Sequence, residues 1–285
     1  MYRFELWSAQ SGLRLQRISC QVIMYKELEI FYLSFLKSVL CVKKSTPNCF
    51  VYGELGVFPL IIEMKMRIVK YWLKLIRPTT SHENYARKIY IQLLLLNISK
   101  PNHKTWVSEV KDMFNSLGLG YIWNLQKVEN ENDFLKLFRQ RLHDIYNQNW
   151  ASEVSNSSEG RLFKCSKTKH EFESYLNLPK HLRIAIAKIR MSSHNFLIER
   201  GRWLKIERKK RICDLCRTIE DEFHIFIECP RFKDERKDFI PTYLKESQNM
   251  YNFVKFLKTN VANQQKQLGY LSYKLQKKYR NLLMS

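Results

Sequence analysis

Acidic residues are scarce in this chain of 285 residues. Against 27 Asp and Glu stand 49 Lys and Arg, giving a formal charge of +22 and a pI near 9.7. So large an excess repels itself on compaction and favours a polyanionic partner. Nucleic acid is the usual one and an anionic membrane surface the rival. Long apolar runs are also missing. The best, Phe31–Val42 and Ile89–Ile98, are interrupted by Lys37 and by Gln92 and Asn97. Both fall short of the roughly 20 residues that span a bilayer, so no membrane partner is expected. The opening Met1–Leu6 has no apolar run behind a basic start, unlike a secretory leader. Seven cysteines, an odd number, argue against a disulfide framework. The expectation is an intracellular protein.

Glycine and proline are sparse too, with eight and seven residues. Little punctuation leaves long helices as the default and little room for a many-stranded sheet, so the expected fold class is mainly α. Apolar residues at helical spacing predict helices over Tyr25–Val42, from Leu60 to just before Pro78, and from a cap at Ser81 (with Asn84 three residues on) to about Ile98. Trp106–Leu117, Asp133–Trp150, Lys180–Ile198, Met250–Leu257 and Leu268–Leu282 read the same way. Gly53, Gly56 and Pro59 predict a turn region over Cys49–Phe58.

The polar stretch 151–160 is the best linker candidate. The expected divisions are an unassigned extension (1–30), a helical region (31–150), that linker, a basic helical segment (161–212), a Cys/His segment (213–232) and C-terminal helices (233–285). Charge is uneven across the linker: +7 over residues 1–160 and +15 over 161–285. The polyanion contact is therefore expected in the second part.

One cluster carries chemistry: Cys213-x2-Cys216-x7-His224-x4-Cys229. Zinc takes four soft or borderline ligands in a tetrahedron, and a Cys-x2-Cys turn delivers two thiolates to one side of it. The alternative is four incidental residues on a buried helix. Thr218-x-x-Asp221 reads as a capping box that starts a short helix near Ile219. His224 then projects from that helix. Cys229, five residues on, lies about 140° around an ideal helix, so the helix must end or unwind before it. Glu228, at i+4 from His224, is left outside the site because thiolate is the better zinc ligand. Four protein ligands leave no open position for an activated water. No Asp-Asp pair, Gly-rich phosphate loop or Gly-x-Ser-x-Gly elbow occurs. No enzymatic activity is expected.

Just before the cluster lie Arg200, Arg202, Lys205, Arg208, Lys209, Lys210 and Arg211, interleaved with Trp203. Cations on both sides of an aromatic suit a nucleic-acid strand, with phosphates on the cations and a base stacked on the ring. The same stretch also reads as a solvated helix end beside a core tryptophan. Arg208–Arg211 fits a short nuclear-import signal, which favours nucleus over cytoplasm. On an ideal helix over Lys180–Ile198, Arg183, Arg190 and His194 fall within about 40° of one another, which reads as a basic rail leading to the cluster or equally as a plain solvated face.

The chain resembles the C-terminal region of animal non-LTR retrotransposon reverse transcriptases, the part beyond the polymerase palm. The resemblance runs over about residues 31–240. It is carried by Ile189-Arg190-Met191-Ser192-Ser193-His194-Asn195-Phe196-Leu197-Ile198-Glu199-Arg200-Gly201-Arg202, by Cys213-x2-Cys216, by Ile219-Glu220-Asp221-Glu222-Phe223-His224 and by Glu228-Cys229-Pro230. Further back it includes Phe35-Leu36-Lys37, Thr46-Pro47-Asn48, Tyr52-Gly53-Glu54-Leu55-Gly56, Pro59-Leu60 and Lys70-Tyr71-Trp72. It implies that Cys213, Cys216, His224 and Cys229 bind zinc in a nucleic-acid-binding knuckle. It also implies that the preceding helices resemble the thumb and linker that grip template RNA and target DNA. The palm with its paired aspartates and the endonuclease are absent, so the resemblance implies a fragment or decayed copy and no polymerase activity. The rival expectation is a helical protein-interaction module in which zinc only staples the fold.

Overall fold

The computed structural model describes residues 27–77, 85–100 and 103–284. Most of the expected extension 1–30, the cap at Ser81 and Asn84, and Pro78 lie outside them. In chain order the helices are α1 (residues 27–40), α2 (Asn48–Leu55), α3 (Leu60–Ile76), α4 (Tyr85–Ser99), α5 (Trp106–Ser116), α6 (Gly120–Leu125) and α7 (Glu131–Asn156). They continue with α8 (Arg161–Ser166), α9 (Lys180–Arg190), α10 (Leu197–Trp203), α11 (Lys233–Arg236), α12 (Thr242–Glu246), α13 (Met250–Leu257) and α14 (Ala262–Met284). Among the described residues the only β pairing outside turns is two isolated bridges, Leu55 with Phe172 and Ile212 with Ile219. The fold is mainly α, as the sparse punctuation predicts.

The chain forms two compact units. One is residues 58–150, and the other joins the residues before 58 to those after 150. One cut falls between 150 and 151, at the start of the stretch expected as a linker, and the other, between 57 and 58, divides the region expected as one over 31–150. Residues 151–156 continue α7, and Val154 on its last turn is buried. The polar composition that reads as a linker is the solvated side of a helix end.

The 58–150 unit is built on Trp72 of α3, which is fully buried against Phe114 of α5, Trp123 of α6 and Phe134 of α7. Its indole Nε1 donates to Tyr90 Oη at 2.9 Å, and Tyr90 in turn donates to Gln126. A buried indole thus has the partner it requires. At the start of α5, Thr105 Oγ1 accepts from Ser108 N (3.1 Å), while Ser108 Oγ accepts from Thr105 N (2.8 Å). This is a reciprocal cap.

In the other unit the region expected as a turn at Cys49–Phe58 is helix α2, buried along Cys49–Glu54. Pro47 sets its start and Gly56 its end: Gly56 is left-handed at φ 61°, and a Cβ there would lie 2.3 Å from Phe172 N. Gly53 and Pro59, which suggest a turn, instead sit inside and beyond the helix. The longest packing seam is α9 along α14, where Gly269 lets Leu182 come close. Leu268, Leu271, Leu275 and Tyr279 face inward from α14, while Leu282 is exposed.

The centre of this unit is a buried cation. Arg190, 1 % exposed, donates through Nε to Glu54 Oε1 at 2.6 Å and through Nη1 to Leu257 O at 2.7 Å; its Nη2 lies 3.2 Å from Glu173. Tyr175 also donates to Glu54. One guanidinium therefore ties together α2, α9, the 173–177 turn and the end of α13. Removing one partner of such a pair strands the other charge in a dry site. Glu54→Ala is expected to destabilise the protein by about 3–5 kcal/mol, measured by urea unfolding. Glu54→Leu combined with Arg190→Met should recover most of that. A loss below about 1 kcal/mol for the single change would show that the pair is not desolvated as described.

Candidate metal centre

The helix expected over Lys180–Ile198 is broken. After Arg190 the chain turns out through a Schellman motif: Ser193 N donates to Lys188 O (2.8 Å) and Ser192 N to Ile189 O (3.2 Å), with Ser192 left-handed at φ 53°. The chain then restarts as α10. The break removes the geometric basis of a basic rail, and Arg190 is consumed by Glu54. His194, 2 % exposed, accepts from Phe196 N at Nδ1 (3.2 Å), so its proton sits on Nε2, 3.1 Å from Glu222 Oε1. Both side chains are thus engaged by carboxylates within the fold.

Residues 211–220 fold back on themselves. Ile212 pairs with Ile219, Glu220 N donates to Arg211 O (2.8 Å), and Cys213 N donates to Thr218 O (2.8 Å). Arg217 N donates to Cys213 O (2.9 Å), which closes the Cys-x2-Cys turn and forces Arg217 to φ 59°. Thr218 is therefore held in the hairpin, next to the bridge, and does not cap a helix. The cap is Asp221, whose Oδ1 accepts from His224 N at 3.0 Å, and helical structure begins at Glu222.

The helix then widens. Residues His224–Glu228 form a π turn, closed by Cys229 N donating to His224 O at 2.8 Å. An α-helix would place Cys229 about 140° from His224. An i→i+5 ring takes one more residue per turn and brings both to the same side. The expected unwinding thus occurs within the turn as well as after it.

The result is a closed cluster. One donor atom each from Cys213, Cys216, His224 and Cys229 lies within 4.8 Å of every other, close enough to hold one metal ion. Cys229 Sγ is 3.8 Å from Cys216 Sγ and 4.0 Å from Cys213 Sγ. A tetrahedral ion with bonds of about 2.3 Å to sulfur sets its sulfurs about 3.8 Å apart. His224 is 3 % exposed, and its Nε2 has no hydrogen-bond partner. Its Nδ1 lies 3.1 Å from Glu228 Oε2 and 3.2 Å from Thr218 Oγ1. A carboxylate only accepts, so the proton is on Nδ1 and the Nε2 lone pair is left for a cation. Glu228 is thus outside the ligand set, as expected, yet it orients the ligand. A second grouping, Cys213 with Asp214 and Glu220, is already spoken for. Asp214 pairs with Arg231 at 2.8 Å, and Glu220 accepts from Tyr279 and from Leu197 N.

The thiols bear the marks of their crowding. Burial opposes ionisation of Cys213, but the N–H groups of Cys216 and Leu215, with His224, outweigh it and hold this thiol below its ordinary value. Burial pushes Cys229 up to about 12, with Cys216 and Cys213 adding to the rise, and Cys216 is raised as well. Three neighbouring thiolates repel; a dication would offset that repulsion and release their protons.

The basic segment divides. Arg211 is spent inside the fold, donating to Ile206 O (2.8–2.9 Å) and Ile198 O (2.7 Å). Arg202 pairs with Glu159 (2.9 Å) and Glu199 (3.3 Å), and Arg200 is half-buried. Lys205, Arg208, Lys209 and Lys210 are exposed and Arg183 half-exposed, and none of them forms an ion pair among the described residues. Trp203 is 61 % exposed, which disposes of the core-tryptophan alternative. Comparison with known protein families, with curated proteins and with solved structures finds no match.

Two substitutions probe the centre. Glu228→Ala should lower metal affinity by roughly 10–100-fold by freeing the His224 ring, read by chelator competition. Unchanged affinity would mean that the carboxylate does not orient the ring. Arg217→Gly relieves a left-handed side chain and should stabilise the protein by roughly 1 kcal/mol. A lowered urea midpoint would show that Arg217 contributes more than the strain it carries.

Proposed function

We propose that this chain is a zinc-stapled, basic nucleic-acid-binding region, of the kind that lies beyond the palm in non-LTR retrotransposon reverse transcriptases. Zinc suits three thiolates and one imidazole in a tetrahedron, held by Cys213, Cys216, His224 and Cys229. With all four positions filled by protein, its contribution is structural: it fixes the 211–220 hairpin against the π turn. The reading assigns no catalysis to the chain.

The observation that carries the proposal is contiguity. The exposed 3-10 turn Arg208–Lys210 runs directly into the hairpin, so the metal would fix the base from which those cations project. Trp203 and Lys205 stand in the same exposed stretch. Phosphates on the cations and a base on the indole match a single strand of RNA or of opened target DNA. No helix of the described residues is long and apolar enough to cross a membrane. The nucleus, where target DNA lies, is the compartment this reading favours.

A second reading is a helical protein-interaction module. It is favoured by the exposed apolar stripe Leu28, Phe31 and Phe35 on α1, at the spacing of a docking helix. The two readings separate on one variant. Reversing Arg208, Lys209 and Lys210 to Glu should weaken oligonucleotide binding by at least roughly tenfold near 0.1 M salt and flatten the dependence of log affinity on log salt. Under the interaction-module reading it changes neither. Filter binding across a salt series decides between them.

A further inference from the structure

Outside the metal centre, the residues before 58 and after 150 form a cleft of about 240 Å³. Its walls come from the loop after α1, from Lys188 on α9, from the Ser193–Phe196 loop and from one turn of α14 carrying Gln276, Tyr279 and Arg280. None of its lining residues is acidic, while Lys43, Lys188 and Arg280 all line it. Lys43 is fixed in place: its N–H donates to Ser193 Oγ at 2.7 Å, and its Nζ donates to His194 O at 2.8 Å. Burial lowers the pKa of Lys43; Glu199 acts against that, and the charge of Lys188 adds to it. The three cations share one cleft whose lining holds no carboxylate to neutralise them. Such an arrangement is stabilised by an anion between them.

Size and continuity narrow the anion. Small-molecule pockets run from roughly 300 to 1,000 Å³, so this cleft is too small to enclose a whole ligand of that class but large enough for one phosphate group. Asn195 and Arg280 are exposed at the mouth, where the rest of a longer ligand would leave. Lys43 also lines a smaller hollow with Trp203, Arg202 and the carboxylates Glu159 and Glu199, both of which Arg202 pairs, so the cleft and the hollow beside the exposed indole share Lys43 as a wall. A polymer whose phosphates repeat along its length fits this layout, whereas an isolated phosphate uses only the cleft.

We infer that the cleft between Lys43, Lys188 and Arg280 seats a backbone phosphate of a bound nucleic-acid strand, whose neighbouring base is placed toward Trp203. This rests on the nucleic-acid reading above and adds a binding point that lies apart from the metal centre and from the Arg208–Lys210 turn.

The test uses the full chain loaded with zinc, a fluorescent single-stranded oligonucleotide and a salt series. Lys188→Ala with Arg280→Ala should reduce the slope of log affinity against log salt by roughly 0.7 for each phosphate that is no longer neutralised. Arg280→Lys, which keeps the charge, should retain most of the slope. Neither side chain makes an ion pair among the described residues, so thermal melting is expected to stay unchanged in both variants. Equal slopes for the double variant and the unsubstituted protein would overturn the cleft while leaving the wider reading intact. Absence of strand binding by the unsubstituted protein would overturn both. In that case, inorganic pyrophosphate held only when Lys188 and Arg280 are present would mark a site for small phosphate compounds instead.

Discussion

Arg190 is the constraint on which this architecture depends. A guanidinium cannot shed its charge at any relevant pH, so burying it obliges the fold to bring acceptors to it from several directions. Glu54, Glu173 and the Leu257 carbonyl supply them from three separate parts of the chain. Because Arg190 is the last residue of α9, fixing it also fixes where the chain leaves that helix. Two residues on, Ser192 turns the backbone left-handed. His194 follows and donates to Glu222, which opens the short helix carrying the ligand His224. The backbone thus connects the buried Arg190–Glu54 pair to the buried His194–Glu222 pair at the edge of the Cys/His cluster.

Much of this was legible in the sequence. Helices dense in apolar residues, such as α3 between Pro59 and Pro78 and α13 behind the Asn249 cap, follow from periodicity, and the four residues of the Cys/His cluster follow from spacing alone. What escaped has identifiable physical causes. The end of α9 carries no glycine or proline, and a serine adopts the left-handed state instead. The burial of Arg190 is set by Glu54, 136 residues away in the sequence, so no local pattern announces it. Arg211 looks like its three basic neighbours, yet only Arg211 lies within reach of the free carbonyls of Ile198 and Ile206. Helix α2 was hidden because Gly53 and Gly56 resemble turn residues, although one lies within a buried helix and the other closes it.

The π turn settles a conflict between two periodicities. The α-helical repeat favours Glu228 as the companion of His224, whereas the chemistry of a soft cation favours Cys229. One extra residue in the ring satisfies both demands: the thiol joins the imidazole on the inner side, and the carboxylate holds the opposite ring nitrogen from outside. The order of Glu228 and Cys229 in the sequence is therefore sufficient to encode both a ligand and its orienting partner.

Sulfurs held 3.8–4.0 Å apart are also within a small displacement of bonding to one another, since a disulfide requires about 2.05 Å. A cation bound there would keep them reduced by coordinating their lone pairs. Stripped of it under oxidising conditions, Cys229 would be free to couple with either neighbour, and the hairpin would be locked by a covalent staple in place of an ionic one. Reloading would then require an external thiol to reopen that bond.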